Sequence, residues 1–432
     1  MSQRLEPPSV TTSDNGLDVN VETIKSPIPA VITRTTLPAP ASNQKVGIWG
    51  LLKHAVGKDL SRLTMPILLN EPLSFLQRLG EYMEYHELIT YASKSSDPVK
   101  RIEYITAFAM SALASGNVRL TKPFNPLLGE TYELNHPELG FEFVAEQVSH
   151  HPPISAFFSQ GPEFEFYGSV NPLVKFWGRS VEIVPQASFT LILKPYNEVY
   201  TWQAASCSVN NIMMGKMYMC LTGTMNIVCL QTHLNCNVKF NGPGRNGADP
   251  MVEGVVLEGK KPLRVIYGNW TEYLASTSYE IYEEVKNQYN KEFRKLEKKG
   301  FGEKCVICRD SNILWRVNKK PPNSKDLQYY YLTYFAMMLN EAVPEGGGDA
   351  APPRTDCRYR PDIRLLEEGA LDPAAKEKDR LENKQRSRSK MRKDFRPKWF
   401  KLGKDPATGN DNVYIFNQAY FNREFADADD IF

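Results

Sequence analysis

No run of about 18 apolar residues occurs in this 432-residue chain, and a membrane-crossing helix needs one. Charge of one sign is lacking too. Fifty-two Lys and Arg stand against 50 Asp and Glu, a formal net of +2, so any basic surface must be local. The seven cysteines are odd in number and scattered, which argues against a disulfide framework and suits a reducing cytosol. Cys305 and Cys308 form the one C-x-x-C, and the second ligand pair of a structural zinc site is missing at suitable spacing. No metal or other cofactor is expected. Met1–Val10 has no basic segment followed by an apolar one, so no secretory signal is expected. No repeat of 20–50 residues is visible, which removes propellers and solenoids. What the chain does have is apolar mass: 42% hydrophobic and 11% aromatic residues. That can fill a large core, and a barrel can exceed 200 residues as one unit.

Residues 1–42 are rich in Ser, Thr and Pro and read as a disordered leader. In Ile48–Leu60, Ile48, Leu52, Val56 and Leu60 recur every four residues on one helical face, with Trp49 beside them. A core-packed surface helix, a lid over an apolar cavity and a membrane-touching helix all fit this stripe. Residues 72–115 read as helical, from Pro72 in a first turn, with a stop and restart at Ser96-Asp97-Pro98. From about Glu142 to Leu274 the chain becomes a series of short Val-, Ile-, Phe-, Tyr- and Thr-rich segments. Examples are Phe141–Val148, Glu163–Val170, Val181–Val184, Phe189–Leu193, Val199–Gln203, Lys216–Leu221, Met225–Leu230, Cys236–Phe240 and Val252–Leu257. Their close spacing predicts an antiparallel meander closing into a barrel or sandwich. Helices are expected at Tyr279–Lys299, Asn323–Asn340 and Asp372–Lys393.

Three constellations carry chemistry. In Glu146–Phe157 (EQVSHHPPISAF), neighbouring residues of a strand face opposite sides. His150 and His151 can converge only if the strand ends between them, and Pro152-Pro153 forces such an ending. The pair then either caps the sheet or donates to a phosphate, whose charge favours protonated imidazole. In Lys122–Glu130 (KPFNPLLGE), two prolines and a glycine fix a loop that could hold Lys122 and Asn125 as donors, or be a plain turn. Lys378, Glu382 and Arg386 stand at i, i+4 and i+8 on one helix face. Between Lys376 and Lys404, 13 basic residues face 4 acidic ones, a net of +9 in 29 residues. That excess points to an anionic partner, although solvated faces also carry charge runs.

At these residues the chain resembles the oxysterol-binding-protein-related family. Glu146–Phe157 resembles its signature, Lys122–Glu130 its second landmark, Met65–Arg78 (MPILLNEPLSFLQR) the start of its lipid domain, and Arg380–Arg386 (RLENKQR) its basic helix. The matches run in family order from about Gly47 to Phe432. The resemblance implies an α+β, mainly β fold. A large incomplete antiparallel β-barrel would surround a lipid tunnel, with an N-terminal lid and helices and a C-terminal helical subdomain. The divisions would be a leader at 1–42, lid and first strand at 43–71, a helical segment at 72–120, the barrel at 121–275 and the C-terminal subdomain at 276–432. It also implies a phosphatidylinositol 4-phosphate head group at the mouth, contacted by Lys122, Asn125, His150 and His151 and closed by Lys378, Glu382 and Arg386. Trp49, Leu52 and Val56 would be the lid's tunnel face.

The second ligand is expected to be a sterol. Family members that carry phosphatidylserine have a sequence like LPTFILE where this chain has Met65–Glu71 (MPILLNE), and Asn70 departs from it. The implied role is lipid transfer in the cytoplasm, peripheral at anionic membranes and membrane contact sites. Lipid sensing without net transfer would use the same pocket. Only 46 residues precede Gly47, too few for a pleckstrin-homology domain or ankyrin repeats. Glu424–Asp430 partly resembles the acidic two-phenylalanine motif for endoplasmic-reticulum receptors, with Ala426 in place of its second aromatic. It also resembles the ordinary end of the family's domain. A hydrolase reading lacks a third histidine and a nucleophile elbow, so no enzyme is expected. A nucleic-acid reading explains the basic helix but neither the histidine pair nor the lid.

Overall fold

Residues 17–18, 31–42, 56–57, 65–244, 247–248, 250–287, 307–308, 310–322, 327–344, 351–391 and 395–432 are described in the computed structural model of the chain. A two-residue strand at Leu17–Asp18, inside the expected leader, pairs with Ile307–Cys308. The body then begins with a strand, β1 (Asn70–Ser74), and three helices, α1 (Phe75–Gly80), α2 (Glu87–Lys94) and α3 (Pro98–Ala114). Ser74 accepts from the Leu76 N–H while Gln77 accepts from the Ser74 N–H, so the first turn of α1 has its donors satisfied. Asp97 caps α3 through the Val99 N–H, and Pro98 takes the first helical position. The stop and restart at Ser96–Pro98 is therefore observed. Pro72 is corrected: it lies in β1, because the Ser74–Gln77 capping pair sets the helix start beyond it.

A short strand, β2 (Lys122–Phe124), pairs in parallel with β1. One large sheet follows. Its strands are β3 (Thr131–Asn135), β4 (Glu142–His150), β5 (Pro153–Gln160), β6 (Phe164–Val170), β7 (Leu173–Phe176), β8 (Ser180–Val184), β9 (Ala187–Leu193), β10 (Glu198–Gln203), β11 (Ser206–Asn210), β12 (Tyr218–Cys229), β13 (Leu234–Asn241), β14 (Met251–Glu258), β15 (Lys261–Asn269), β16 (Tyr273–Ser278) and β17 (Asn312–Arg316). Among the described residues the path β3-β4-β5-β6-β9-β10-β12-β13-β14-β15-β16-β17 does not close, its end strands β3 and β17 not pairing with each other, and its pairings are antiparallel. The protein is thus mainly β, an incomplete antiparallel barrel. An extension leaves this path: β11 pairs with β12 and β8, and β8 pairs with β7.

Period-two burial makes the wall. Along β6, Phe164, Phe166, Gly168 and Val170 are buried, and Glu165, Tyr167 and Ser169 between them are partly exposed. The inner face brings Phe157, Phe166, Phe189 and Trp202 together with Phe108 of α3, and Tyr82 packs on this cluster. Phe166 and Trp202 stack at 5.6 Å. Gly168 has to be glycine, since a Cβ there would run into the Ser188 carbonyl oxygen and the Phe189 ring. Two expected strands, Lys216–Leu221 and Met225–Leu230, are the single strand β12. Of the sheet's strands, β3, β5, β7, β11, β15, β16 and β17 had not been singled out as segments. β5 begins at Pro153, a first-residue position that proline tolerates.

Residues 279–287 are helical, and the rest of the expected Tyr279–Lys299 helix lies outside the described residues. Asn323–Asn340 is not one helix. A 3-10 turn, Leu327–Tyr329, is separated from a short helix, α4 (Tyr334–Met338), by Tyr330 and Tyr331 at φ of 54° and 58°. That left-handed region is closed to a right-handed helix. Next come α5 (Pro361–Glu367) and α6 (Leu371–Met391), the expected polar helix. A hairpin of β18 (Phe400–Gly403) and β19 (Val413–Phe416) covers the outer face of β4 and β5, stacking Phe416 on Phe158 at 4.8 Å. Residues 31–42, assigned to a disordered leader on composition, lie against the body. Leu37 is buried in one cluster with Leu332 and Met337, and Arg34 pairs with Glu367 at 2.9 Å. Their partners are distant in sequence, so local periodicity did not reveal them. Among the described residues no helix is long and apolar enough to cross a membrane.

Candidate functional site

The loop Lys122–Glu130 is built around one buried carboxylate. Glu130 accepts from the Leu127 N–H at 2.8 Å, from Ser74 Oγ at 2.5 Å and from Arg360 Nη1 at 2.8 Å. Arg360 is itself buried, forks onto Asp362 at 3.0 and 2.7 Å, and donates to the Asn125 carbonyl oxygen at 3.0 Å. Phe124 is buried with Ile363, Leu366 and Ala374 of α5 and α6. Gly129 takes φ of 81° and donates to the Gln147 carbonyl at 3.0 Å, stitching the loop to β4. The loop is thus fixed from behind, and it presents the partly buried Lys122 and the exposed Asn125 side chain. Burial, and then neighbouring Lys378, push the Lys122 ammonium down to about 8, against the pull of Glu382.

β4 ends at His150 and β5 starts at Pro153 opposite it, so the two prolines do end the strand at the histidine pair. The rings of His150 and His151 lie 4.6 Å apart. A register shift between Gln147 and Ser149 precedes them, and Gln147 bridges it by donating to the Ser149 carbonyl at 2.8 Å and accepting from Ser155. Burial first, then His151, push the His150 imidazolium down to about 4. On the other face of β4, Glu146 accepts from the Lys398 and Trp399 N–H groups at 2.9 Å each, which anchors the C-terminal hairpin. Burial raises its carboxyl to about 7.

Helix α6 closes the group. Its buried stripe is Ala374, Lys378 and Leu381, one position off the expected Lys378–Glu382–Arg386 line. Lys378 Nζ meets Glu382 Oε1 at 2.6 Å, and Arg386 reaches Glu382 Oε2 at 3.2 Å while its side chain stays 62% exposed. Gln385 makes the direct contact. Its Oε1 accepts from the Leu128 N–H at 2.8 Å, and its Nε2 lies 2.6 Å from His150 Nε2. A donor meeting that ring suits a neutral imidazole. One carboxamide therefore joins the loop, the histidine turn and the basic helix. Chemically, this is a cluster of cations and N–H donors that an anion can bridge.

The family model for oxysterol-binding proteins matches residues 47–425. The chain belongs to the oxysterol-binding protein family. Within that family it is 43% identical over 429 residues to mouse (Mus musculus) oxysterol-binding protein-related protein 2, covering 92% of this chain and 88% of the relative. It is 43% identical to rat (Rattus norvegicus) oxysterol-binding protein-related protein 1, covering 92% of this chain but only 44% of that longer relative. Its fold matches the Osh1 ORD domain in complex with cholesterol, with a TM-score of 0.78, 31% identity, and coverage of 92% of this chain and 94% of that one. It also matches the Osh3 ORD of Saccharomyces cerevisiae in complex with PI(4)P, with a TM-score of 0.75, 29% identity, and coverage of 92% and 99%.

In this oxysterol-binding family member, the structure brings Lys122, Lys378 and Glu382 within electrostatic reach of one another, and His150 within reach of His151 and Glu382. Asn125 is exposed, with its carbonyl bonded to Arg360, and the exposed Arg386 touches the group through Glu382. Gln385 and Arg360 were missed. Gln385 had a signal, since 378, 381 and 385 share a helix face, whereas Arg360 had none. Trp49 and Leu52 of the expected lid lie outside the described residues. Val56 is 51% exposed where a tunnel-facing side chain was expected, and the adjoining Gly57 N–H donates to the Phe176 carbonyl at 2.7 Å. In the acidic segment Glu424–Asp430, Phe425 packs on Trp399 and Tyr420, and Asp429 and Asp430 pair with Arg388 and Lys384.

Proposed function

We propose that this protein is a lipid carrier that exchanges a sterol for phosphatidylinositol 4-phosphate between membranes. The observation that carries the reading is the convergence of Lys122, the histidine pair and the Lys378–Glu382–Gln385 face of α6 at one end of an open barrel. A phosphomonoester brings up to two negative charges near neutral pH and several acceptor oxygens. It can take the Leu128 N–H and His150 in place of Gln385 and add the Lys122 and Lys378 ammonium groups. The aromatic inner face suits the apolar body of either lipid, one at a time. The sterol half draws on the cholesterol-bound relative, and the head-group half on the PI(4)P-bound one. The part taken by His150, His151, Lys122, Asn125, Lys378, Glu382 and Arg386 in holding the head group belongs to the same proposal, as does peripheral contact with anionic membranes. Nothing in the role calls for catalysis. An endoplasmic-reticulum receptor that bound Glu424–Asp430 as an extended peptide would have to pull Phe425 off Trp399 and Tyr420.

Native mass spectrometry of the purified protein, with extraction and identification of the bound lipid, tests this reading. The expected adducts are one sterol or one phosphoinositide per chain, never both. A co-purified phosphatidylserine would assign a different second cargo, and simultaneous occupancy would refute exchange through one tunnel.

A further inference from the structure

We infer that a set of apolar tips at the histidine rim of the barrel inserts into an anionic bilayer surface. This rests on the lipid-carrier reading for its purpose, though not for its geometry. Of the exposed large apolar residues among the described ones, Val56, Val118, Leu120, Trp177, Met213 and Met214 are six of ten, and Met214 is 86% exposed. The topology places these six at one end. His150 sits opposite Pro153, and Ser155 opposite Val170, so β6 finishes at the histidine rim. The β7–β8 hairpin is inserted between Val170 and its partner Ala187, and it continues the wall past that rim with Trp177 in its turn. β11 likewise continues past the end of β10 and pairs with the start of β12, placing Met213 and Met214 in the turn between them. The two turns touch through the Ile212 N–H and the Arg179 carbonyl at 3.3 Å. Val56 joins them through the Gly57 N–H bond to Phe176. Val118 and Leu120 belong to the loop whose Gly116 faces Met219 of β12.

The chemistry of this rim fits a bilayer. Lys175, Arg179 and Lys216 flank the tips. The one acid in the same turns, Glu182, accepts from the Trp177 indole N–H at 2.9 Å, which fixes the ring. Basic residues beside Trp and Met suit the boundary between head groups and acyl chains. The apolar residues sit on separate projecting turns rather than on one flat face. A fluid surface can close around such tips, whereas a folded partner would need matching pits. The rim also carries Lys122 and the histidine pair, so a docked protein would present its candidate head-group site to the lipid surface.

The test is co-sedimentation with vesicles of phosphatidylcholine and phosphatidylserine lacking any phosphoinositide, so that docking is read apart from the head-group site. Trp177→Ser combined with Met214→Ser should lower partitioning by about tenfold or more. Leu402→Ser, an exposed apolar position on β18, should leave it unchanged. Affinity for a water-soluble short-chain phosphatidylinositol 4-phosphate should be preserved in both. Unchanged partitioning of a folded double variant would overturn the inference. So would wild-type self-association in vesicle-free buffer that the double variant abolishes, since that would assign the tips to a second copy. If the double variant does not fold, Arg179→Glu with Lys216→Glu touches no core and should abolish binding to the anionic vesicles, and its failure to do so would count equally against docking. Failure of the wild type to bind the short-chain phosphoinositide would instead refute the carrier reading and leave the docking result standing.

Discussion

The two halves of the candidate site are built to different rules. The loop half, Lys122–Glu130, is locked from behind: Arg360 lies fully inside and is shared by Glu130, Asp362 and the Asn125 carbonyl. The helix half, α6, rests on the loop through Phe124 and through the single Gln385 carboxamide, and it holds Arg386 out in solvent. Part of its charge excess is met within the chain, with Lys384 on Asp430 and Arg388 on Asp429. A buried charge that loses its partner is costly, whereas an exposed pair contributes little. The loop is therefore a fixed set of donors, and the helix side is the part a ligand can rearrange.

That contrast can be broken most severely at Arg360. Arg360→Met strands Glu130 and Asp362 as buried carboxylates and should cost about 3–5 kcal/mol in urea unfolding. A loss below about 1 kcal/mol would mean that the loop is not held by this network. The histidine turn comes next. His150→Ala with His151→Ala should leave the unfolding midpoint nearly unchanged. It should remove up to two charge-assisted bonds to the head group, each worth about 1.5–3 kcal/mol. Phosphoinositide extraction from liposomes reads this, and unchanged extraction by the folded variant would move the head-group site elsewhere.

Protonation sharpens the comparison. The free protein holds His150 near 4 and Lys122 near 8. A bound anion raises both, so binding takes up protons. Affinity should weaken as the pH rises above about 8 and Lys122 discharges, and Lys122→Ala should flatten that limb. A limb identical in the variant would assign the titration to another group. The smallest effect belongs to Arg386. Arg386→Ala should cost about 0.2–1 kcal/mol of head-group affinity and fade with salt. It should add to Lys122→Ala, while Lys378→Ala should couple to Lys122→Ala in a double-mutant cycle. Strong coupling of Arg386 would mean that this exposed side chain folds over the ligand.

The same contrast explains what was legible in the sequence. Strands such as β6 and β13 announce themselves by alternation, and the α3 start by Asp97-Pro98, because local chemistry alone sets them. The histidine turn was legible because two prolines end the strand. Pro72 misled because the deciding cap lay at Ser74. The break at Tyr330 and Tyr331 was hidden because no glycine marks their left-handed backbone. Arg360 was invisible because two of its three partners, Glu130 and the Asn125 carbonyl, come from a loop more than two hundred residues away. The charge run and its i, i+4, i+8 spacing supplied the basic helix, yet the contact residue is Gln385, which no charge pattern marks.

The central claim is exchange, and one assay reads it directly. Donor liposomes carry a fluorescent sterol, and acceptors either contain or lack phosphatidylinositol 4-phosphate. Phosphoinositide in the acceptors should accelerate net sterol delivery, because it displaces the sterol and returns the protein loaded, and the His150→Ala, His151→Ala variant should lose that acceleration while still carrying sterol. Equal delivery to both acceptors, with each lipid shown to bind separately, would contradict the account and leave a lipid sensor or a carrier of a different second lipid.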